Sequence, residues 1–215
     1  MTDRIEIKSN ISTNLYERLI LDFSHKKFGF FNTFPKRSVS SIYFDTDNLK
    51  DYFDHVIGSG KRKKTRVRFY NQTIKNESEL NSCVLEQKIK TFNVGTKNKL
   101  KGSFYNLISH TFPLSAKTFV NYEREYFECQ DIFRITLDTK INYGIPEIDK
   151  KKFHVARQVI SNQKVLEIKI ELENYQKSTL LINNFLNFYE IKTNKFSKYC
   201  NSIETLGLID GHFIN

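Results

Sequence analysis

Charged side chains recur at every second position in several segments of this chain. Side chains two residues apart lie on the same face of a β-strand, so each segment predicts a strand with one charged face. Arginine binds phosphate through a planar fork and lysine as a point charge, and carboxylates among them can hold a divalent cation. The pattern therefore indicates a site for phosphate chains. The alternating residues are Arg4, Glu6 and Lys8; Arg66 and Arg68; Glu86, Lys88 and Lys90; Tyr122 and Arg124; Arg134 and Asp138; and Glu167, Lys169 and Glu171.

The positions between these charged residues are largely apolar. The plainest interpretation is an antiparallel sheet with one solvated face and one core face. A solvated face is usually rich in Ser, Thr and Asn as well, and it need not repeat Arg-x-Arg or Glu-x-Lys. If the strands close into a barrel with the charged face inward, basic groups converge on a central volume. We therefore expect a tunnel that binds phosphate and metal. The apolar positions are Ile5, Ile7, Val67, Phe69, Leu85, Ile89, Ile135, Leu137, Leu166, Ile168 and Ile170.

The hydrophobic periodicity predicts many strands and few helices, which is an α+β fold that is mainly antiparallel β. Polar residues 71–82 predict a loop or hairpin. The predicted strands are 4–8, 39–44, 65–70, 84–90, 94–100, 118–127, 133–141 and 165–172. The predicted helices are 12–23, 49–56 and 175–189.

Composition places limits on the function. The chain has 215 residues, with 34 Lys and Arg against 24 Asp and Glu, and the formal net charge of +10 favours an anionic partner. We expect one domain over residues 1–215, because no repeat or linker divides the chain. Three separated cysteines fit a reducing compartment, which predicts a cytoplasmic protein. No apolar run is long enough to span a membrane, so a membrane role would need a partner.

Two motifs have competing interpretations. The motif Gly58-Ser-Gly-Lys61 lacks the spacing of a nucleotide-binding P-loop and leads into a strand pattern, so we set a P-loop aside. The basic cluster from Lys61 to Lys64 fits a solvated turn, an electrostatic funnel or a nucleic-acid patch. The five histidines are scattered, which disfavours a zinc site. Phe30, Phe31 and Phe34 are expected in the core.

An ordered set of motifs resembles the VTC domain of polyphosphate polymerases, within the triphosphate tunnel metalloenzymes related to CYTH domains. Each motif is weak alone, but the ordered set is specific and covers most of the chain. The matching pieces are Arg4-Ile-Glu-Ile-Lys8, Ser41-Ile-Tyr-Phe-Asp-Thr46, Arg62-Lys-Lys-Thr-Arg-Val-Arg-Phe-Tyr70, Leu85-Glu-Gln-Lys88, Tyr122-Glu-Arg124, Phe133-Arg-Ile-Thr-Leu-Asp138, Leu166-Glu-Ile-Lys169 and Ser197-Lys-Tyr199.

The resemblance implies a closed, tunnel-like β-barrel with flanking helices. It implies transfer of the terminal phosphoryl group of ATP to a growing polyphosphate chain, with release of ADP. Glu167 would coordinate Mn²⁺ or Mg²⁺, and Glu6 would be a second carboxylate at the metal. The catalytic cations carried over are Lys8, Arg66, Arg68, Lys88, Arg124, Arg134 and Lys198. The substrate-binding residues carried over are Lys97, Tyr122, Lys169 and Ser197.

Some points remain open at the level of sequence. Arg4 stands where the wider tunnel signature has a Glu, which agrees with the VTC branch and argues against the triphosphatase and cyclase branches. Lys99 and Lys101 lie close enough to Lys97 to compete for its match. Besides a polymerase, the residues allow a triphosphatase acting on inorganic or nucleoside triphosphate, a non-catalytic polyphosphate-binding module, and a nucleic-acid-binding barrel. We do not expect nucleic acid to be a partner of this protein.

Overall fold

Nine strands and five α-helices are present in the computed structural model, which describes residues 4–70, 82–92, 94–130, 132–149 and 153–209. The predicted loop at 71–82 lies outside these residues except for Ser82. The strands are β1 (Arg4–Ile11), β2 (Phe30–Asp45), β3 (Lys61–Tyr70), β4 (Cys83–Thr91), β5 (Val94–Gly102), β6 (Ser115–Cys129), β7 (Phe133–Ile148), β8 (Phe153–Ser161) and β9 (Lys164–Glu171). The helices are α1 (Thr13–Ser24), α2 (Lys50–Val56), α3 (Phe104–Ser109), α4 (Tyr175–Phe188) and α5 (Lys198–Thr205).

The strands form one sheet in the order β1-β9-β7-β6-β2-β3-β4-β5, with β8 paired to β7. The pairs β1–β9, β7–β9, β2–β3, β3–β4 and β4–β5 are antiparallel. The predicted α+β class with mainly antiparallel strands is therefore confirmed. Within the described residues the path ends at β1 and β5 without a hydrogen-bonded pairing of those two strands, so the predicted barrel closure is not confirmed.

Two compact units divide the described residues, and β2, β6 and β7 contribute to both. Unit 1 draws on Met1–Arg37, Glu123–Ile141 and Asn162–Phe196. Unit 2 draws on Ser38–Tyr122, Asn142–Ser161 and Ser197–Asn215. No helix in the described part of the chain has both the length and the apolar character needed to cross a membrane.

The core of unit 1 follows from the apolar faces that the sequence predicts. Ser12 caps α1 by accepting a hydrogen bond from the Leu15 backbone N–H, and this helix buries Leu19 and Phe23. Phe23 packs against Phe30 and Phe185, with ring centroids 4.4 Å and 6.1 Å away. The apolar faces of β7 and β9 complete this core with Ile135, Leu137, Leu166, Ile168 and Ile170.

The core of unit 2 uses the same division of strand faces. Val67 and Phe69 of β3 and Leu85 of β4 are buried, together with Phe104 and Leu107 of α3. Because the apolar side chains of these strands point into the core, the alternate positions are directed to the opposite face. This arrangement places Arg66, Arg68 and Glu86 together on that face.

Several expectations require correction. Lys61–Lys64 lies inside β3, so the interpretation as a solvated turn is wrong. Phe30 is in the core as expected, but Phe31 and Phe34 are exposed. Three elements were not predicted: β8, α3 and α5. The predicted strand 39–44 is the buried end of β2, which begins at Phe30.

Candidate phosphate-binding site

The polar face of β2 to β5 in unit 2 carries many cations in register. Tyr43, Arg66, Glu86 and Lys99 form one rung across the four strands, and the next rung joins Lys64, Lys88 and Lys97. A third rung joins Ser41, Arg68, Val84 and Lys101. In these described rungs Glu86 is the single carboxylate. The face therefore has a large excess of positive charge.

Glu86 is the centre at which three of these cations meet. Arg66 donates from Nε to Glu86 Oε2 over 2.8 Å, and its Nη2 lies 2.6 Å from the same oxygen. Arg68 Nη1 lies 3.4 Å from Oε2, and Lys97 Nζ lies 2.5 Å from Oε1. Because one carboxylate balances only one of the three positive charges, the cluster can stabilise an added anion.

Burial and neighbouring charges shift the pKa values in this cluster. Burial alone would raise the pKa of Glu86, but Arg66, Arg68 and Lys97 hold it well below its usual range. Burial, together with Arg66 and Arg68, lowers the pKa of Lys97 to about 8, against the raising effect of Glu86. Burial alone would also raise the pKa of the Tyr43 phenol, yet Arg66, Arg68 and Lys198 lower it overall. The shifts of Glu86 and Tyr43 report a strongly positive environment, and that of Lys97 mainly reports burial.

Helix α5 brings two predicted site residues to this face. Ser197 caps the helix by accepting a hydrogen bond from the Cys200 N–H, and its Oγ also accepts one from Lys64 Nζ over 2.8 Å. The next residue, Lys198, places its ammonium 4.6 Å from the ring centroid of Tyr122. Tyr122 is buried. The predicted residues Ser197, Lys198 and Tyr122 are thus held on elements of the same unit as Arg66.

Asp45 is a fully buried carboxylate that anchors α5 through a hydrogen bond. Its Oδ1 accepts hydrogen bonds from the backbone N–H groups of Thr46 and Asp51, and its Oδ2 accepts one from the backbone N–H of Tyr52. Oδ2 also accepts the hydroxyl of Tyr199 over 2.5 Å.

Tyr199 in turn supports the cationic cluster. Its ring stacks on Tyr43 at 5.2 Å, and the Tyr43 oxygen accepts a hydrogen bond from Arg66 Nη1 over 3.0 Å. Asp45 therefore connects the N-terminus of α2 with α5, and through two rings with Arg66.

Unit 1 contains a second cluster in which acids and bases are more evenly balanced. Arg124 binds Asp138 through two hydrogen bonds of 2.5 Å and 2.7 Å, and its Nη2 lies 3.5 Å from Glu167 Oε2. Lys8 and Lys169 place their ammonium groups 3.7 Å and 3.4 Å from the Glu167 carboxylate. The structure thus brings together four residues that the sequence singled out: Lys8, Arg124, Glu167 and Lys169.

Burial is the main cause of the altered titration of Lys169. It lowers the pKa of this ammonium to about 8, with help from Arg124, while Glu167, Glu6 and Asp138 act in the opposite direction. An anion bound here would favour the protonated lysine.

The carboxylates of unit 1 fit a divalent cation that takes most of its ligands from phosphate. On the paired strands β1 and β9, Glu6 lies opposite Lys169 and Glu167 lies opposite Lys8, so the two glutamates are diagonal neighbours on one face. Mg²⁺ is commonly held by one or two carboxylates together with phosphate oxygens. Among the described residues no group of three or more His, Cys, Asp or Glu could hold a metal without such help.

Two predicted residues have other surroundings. Arg134 lies opposite Lys169 on the paired strands β7 and β9, but its guanidinium contacts Glu171 at 2.9 Å and is 44% exposed. Arg134 and Lys169 both line a cavity of about 130 Å³. Lys88 is exposed on β4, opposite both Lys64 and Lys97 in the strand register.

Three residues of the site were missed at the level of sequence. Lys64 could have been found by extending the alternation of Arg66 and Arg68 back by two positions. Tyr43 lies in a quoted motif, but no pattern indicated its contact with Arg66. Asp45 also lies in a quoted motif, but its bond to Tyr199 joins residues 154 positions apart, and no local pattern indicates such a contact.

Solved structures with the same fold come from several organisms. A protein of Pyrococcus horikoshii OT3 has a TM-score of 0.54 and 13% identity, with 94% of this chain and 99% of that chain covered. A proposed adenylate cyclase from Vibrio parahaemolyticus has a TM-score of 0.55 and 11% identity, covering 91% of this chain and 95% of the other. A proposed adenylate cyclase from Bacillus halodurans gives 0.53 and 13%, covering 94% and 98%. At these identities the similarity shows the fold alone.

Comparison with families is more specific. No curated protein matches the chain. The family model of the VTC domain matches residues 3–109 and 96–207, two overlapping stretches that together cover nearly the whole chain. The family implies a metal-dependent enzyme of phosphoryl transfer or hydrolysis with triphosphate and ATP-like substrates. With its polar faces of Arg, Lys and Glu, the chain belongs to the VTC domain family, within the triphosphate tunnel superfamily.

Proposed function

We propose that this protein is a polyphosphate polymerase, which transfers the γ-phosphoryl group of ATP to an inorganic polyphosphate chain and releases ADP. The observation that carries the proposal is the convergence of Arg66, Arg68 and Lys97 on the single carboxylate of Glu86. Two positive charges remain uncompensated in that group. The match to the VTC domain supports a phosphate chain as the anion that compensates them.

Phosphoryl transfer depends mainly on positioned phosphates and on neutralised charge, with less need for a general base. In the proposal, Arg66 and Arg68 bind the oxygens on which negative charge develops during transfer. Glu86 holds both guanidinium groups in place, because it accepts a hydrogen bond from Arg66 and forms an ion pair with Arg68. Lys198 and Lys88 bind neighbouring phosphates, and the hydroxyls of Ser197 and Tyr122 donate to phosphate oxygens.

The cluster of unit 1 has a separate role in the proposal. Lys8, Arg124 and Lys169 bind phosphates, while Glu167 and Glu6 are the residues that would hold Mn²⁺ or Mg²⁺. When bound, such a cation withdraws electron density from phosphate oxygens and neutralises their charge. Arg134 contributes a further cation for the chain. In each role the residue acts by position and charge.

The proposal has four further parts. The strands are proposed to close around a polar interior through which the phosphate chain passes, as the family match suggests. Residues 1–215 are proposed to work as a single domain. The protein is proposed to act in the cytoplasm, where the free buried thiols of Cys83, Cys129 and Cys200 would stay reduced. Nucleic acid is not a proposed partner.

Incubation of the protein with ATP and Mn²⁺, followed by gel electrophoresis of the products, tests the proposal. Long phosphate chains together with ADP are the expected result. Release of orthophosphate without chains would indicate a triphosphatase and contradict the proposal. Binding of polyphosphate without turnover of ATP would indicate a binding module, which contradicts it as well.

Substitution of one central cation tests the assignment of the site. Arg66→Ala is expected to abolish chain synthesis, because it removes a guanidinium placed for the transferred phosphate, while the fold persists in circular dichroism. Lys140→Ala is the matched control. Lys140 is also a cation, but it belongs to unit 1, its side chain is 72% exposed, and it pairs with Glu123. Synthesis at the normal rate by Arg66→Ala would overturn the assignment.

A further inference from the structure

Three large apolar side chains are exposed together at one end of the β3–β4 pair in unit 2. Val56 and Ile57, at the end of α2, are 55% and 74% exposed, and Phe92, directly after β4, is 76% exposed. We call Val56, Ile57 and Phe92 the apolar tip. Full exposure of such side chains to water is unfavourable, so a contiguous group of them marks an interaction surface.

The backbone holds the parts of the apolar tip next to each other. The Phe92 N–H donates to the Gly60 carbonyl over 2.5 Å, and a Cβ added at Gly60 would lie 2.9 Å from the Phe92 ring. Gly60 follows Ile57 by three residues, through a turn closed by the Ser59 N–H donating to the Asp54 carbonyl over 2.9 Å. Gly58 adopts a positive φ of 75° in this turn. The segment that carries Phe92 is therefore fixed to the turn that follows Val56 and Ile57.

Basic residues follow the apolar tip along both strands. Lys61 is exposed and lies opposite Thr91, and Arg62 lies opposite Lys90 in the next rung. On α2 the partly buried acid Asp54 is paired with Lys50 at 2.5 Å. Lys63 interacts electrostatically with Asp51, so its charge is partly balanced. The border of the apolar tip consequently has net positive charge.

We propose that the apolar tip docks on an anionic lipid bilayer. Val56, Ile57 and Phe92 would enter the interface between headgroups and acyl chains, while Lys61, Arg62 and Lys90 would contact lipid phosphates and carboxylates. Apolar side chains bordered by Lys and Arg are the combination that such surfaces favour, since burial and charge attraction add. The proposal does not depend on the phosphate chemistry of the site.

The composition of the tip favours a bilayer over a nucleic acid. Single-stranded nucleic acids gain affinity by stacking bases on aromatic rings, and two of the three tip residues are aliphatic. Lipid acyl chains, in contrast, accept aliphatic and aromatic side chains alike. The commitment is therefore to a membrane surface, with nucleic-acid binding as a contradicting outcome.

The chain contains no Trp, which allows a direct test by fluorescence. Phe92→Trp places a single indole in the apolar tip, and Leu180→Trp is the matched control, because Leu180 is 72% exposed on α4. With phosphatidylserine-containing vesicles the emission of Phe92→Trp should shift to the blue, and that of Leu180→Trp should not. Vesicles of phosphatidylcholine alone should give little shift, and added salt should reverse it.

Cosedimentation of the unlabelled protein measures the contribution of each part. The double variant Ile57→Ser with Phe92→Ser should reduce vesicle affinity about tenfold or more, since two large apolar side chains no longer leave water. Lys61→Ala with Lys90→Ala should reduce it on anionic vesicles, and Leu180→Ser should leave it unchanged. Binding of the Ile57/Phe92 variant at the normal level, equal blue shifts of both Trp variants, or binding to poly(U) RNA but not to vesicles would each overturn the proposal.

Discussion

At the scale of single residues, two lysines have unusual titration. Lys97 lies against Glu86 in unit 2, and Lys169 lies near Glu167 in unit 1. Burial lowers the pKa of each ammonium to about 8, against an ordinary value of 10.5. Each lysine is therefore close to losing its proton at the pH of most assays. A bound phosphate would oppose that loss, because it favours the charged form.

Affinity for inorganic triphosphate should consequently fall as the pH rises from about 7 to about 9, because the protonated lysines are the forms that bind the anion. A lysine with a pKa of about 8 loses most of its proton across this range, and each can weaken binding by up to about tenfold. Isothermal titration calorimetry at several pH values measures the trend.

Lys97→Arg is the control for this pH dependence. An arginine stays charged throughout the range, so the variant should bind with a flatter pH profile. A profile as steep as that of the unaltered protein would show that Lys97 does not titrate in the binding step.

The residues of the clusters were partly accessible from the sequence. Alternation at every second position was enough to place Arg66, Arg68 and Glu86 on one face, because the side-chain period of a strand is fixed by its geometry. The same rule could not predict that the Arg134 guanidinium contacts Glu171, because alternation gives the face of a side chain and not the partner that it selects there. Side-chain direction at an exposed position is decided by such local competition.

At the scale of elements, α5 has an importance that its length of eight residues does not suggest. Ser197 and Lys198 stand at its start, and Tyr199 anchors it to Asp45 and Tyr43. The helix thus holds two predicted phosphate ligands through one tyrosine.

Tyr199→Phe should destabilise the protein by about 1–3 kcal/mol, because the buried Asp45 carboxylate loses a hydrogen-bond donor. The ring remains and can still stack on Tyr43. Affinity for triphosphate should also fall at temperatures where the variant is fully folded, since α5 positions Ser197 and Lys198. Urea denaturation and calorimetry measure the two effects.

Tyr175→Phe serves as the comparison, because Tyr175 begins α4 and is exposed. It should change neither stability nor affinity. Loss of stability in Tyr199→Phe with normal triphosphate affinity would mean that α5 supports the fold but does not position the site.

Most elements that the sequence predicted have a buried face, and β5, in which no residue from Gly95 to Gly102 is buried, has a lysine at every second position instead. β1, β3, β4 and β9 alternate clearly, and α1 and α4 have apolar residues at helical spacing. β8 was missed because none of its nine residues is buried, so hydrophobicity has no period to detect. α3 has only six residues, fewer than two turns. The helix α5 buries Ser202 and Cys200 beside Tyr199 and Ile203, and a polar buried residue weakens the pattern.

At the scale of the whole molecule, the net charge of +10 opposes compaction, and a bound polyanion should relieve this repulsion. Inorganic triphosphate at about one hundred times its Kd should stabilise the folded state by about 2.7 kcal/mol. For a protein of this size that corresponds to a rise in Tm of about 5–10 °C. Thermal unfolding followed by circular dichroism measures the rise.

Two comparisons make this prediction specific. Sodium chloride at equal ionic strength should raise Tm by far less, because single chloride ions cannot bridge several cations. Addition of EDTA to a sample with Mn²⁺ and triphosphate should reduce the rise, if Glu167 and Glu6 share a metal with the phosphates. An equal rise with sodium chloride would mean that general screening, and not a binding site, causes the stabilisation.

The hydrogen bond between Tyr199 and Asp45 also has a consequence for the order of events during synthesis. It joins residues 154 positions apart, and the bond from Lys64 to Ser197 joins residues 133 positions apart. At ribosomal rates of about 5–20 residues per second, many seconds pass between emergence of the first partner and that of the second. The strands carrying Arg66 and Glu86 can pair in that interval, and the proposed phosphate ligands of α5, Ser197 and Lys198, are added after them. A nascent chain therefore gains the cations and hydroxyls of α5 only after the strands that carry Arg66 and Glu86 have had time to pair.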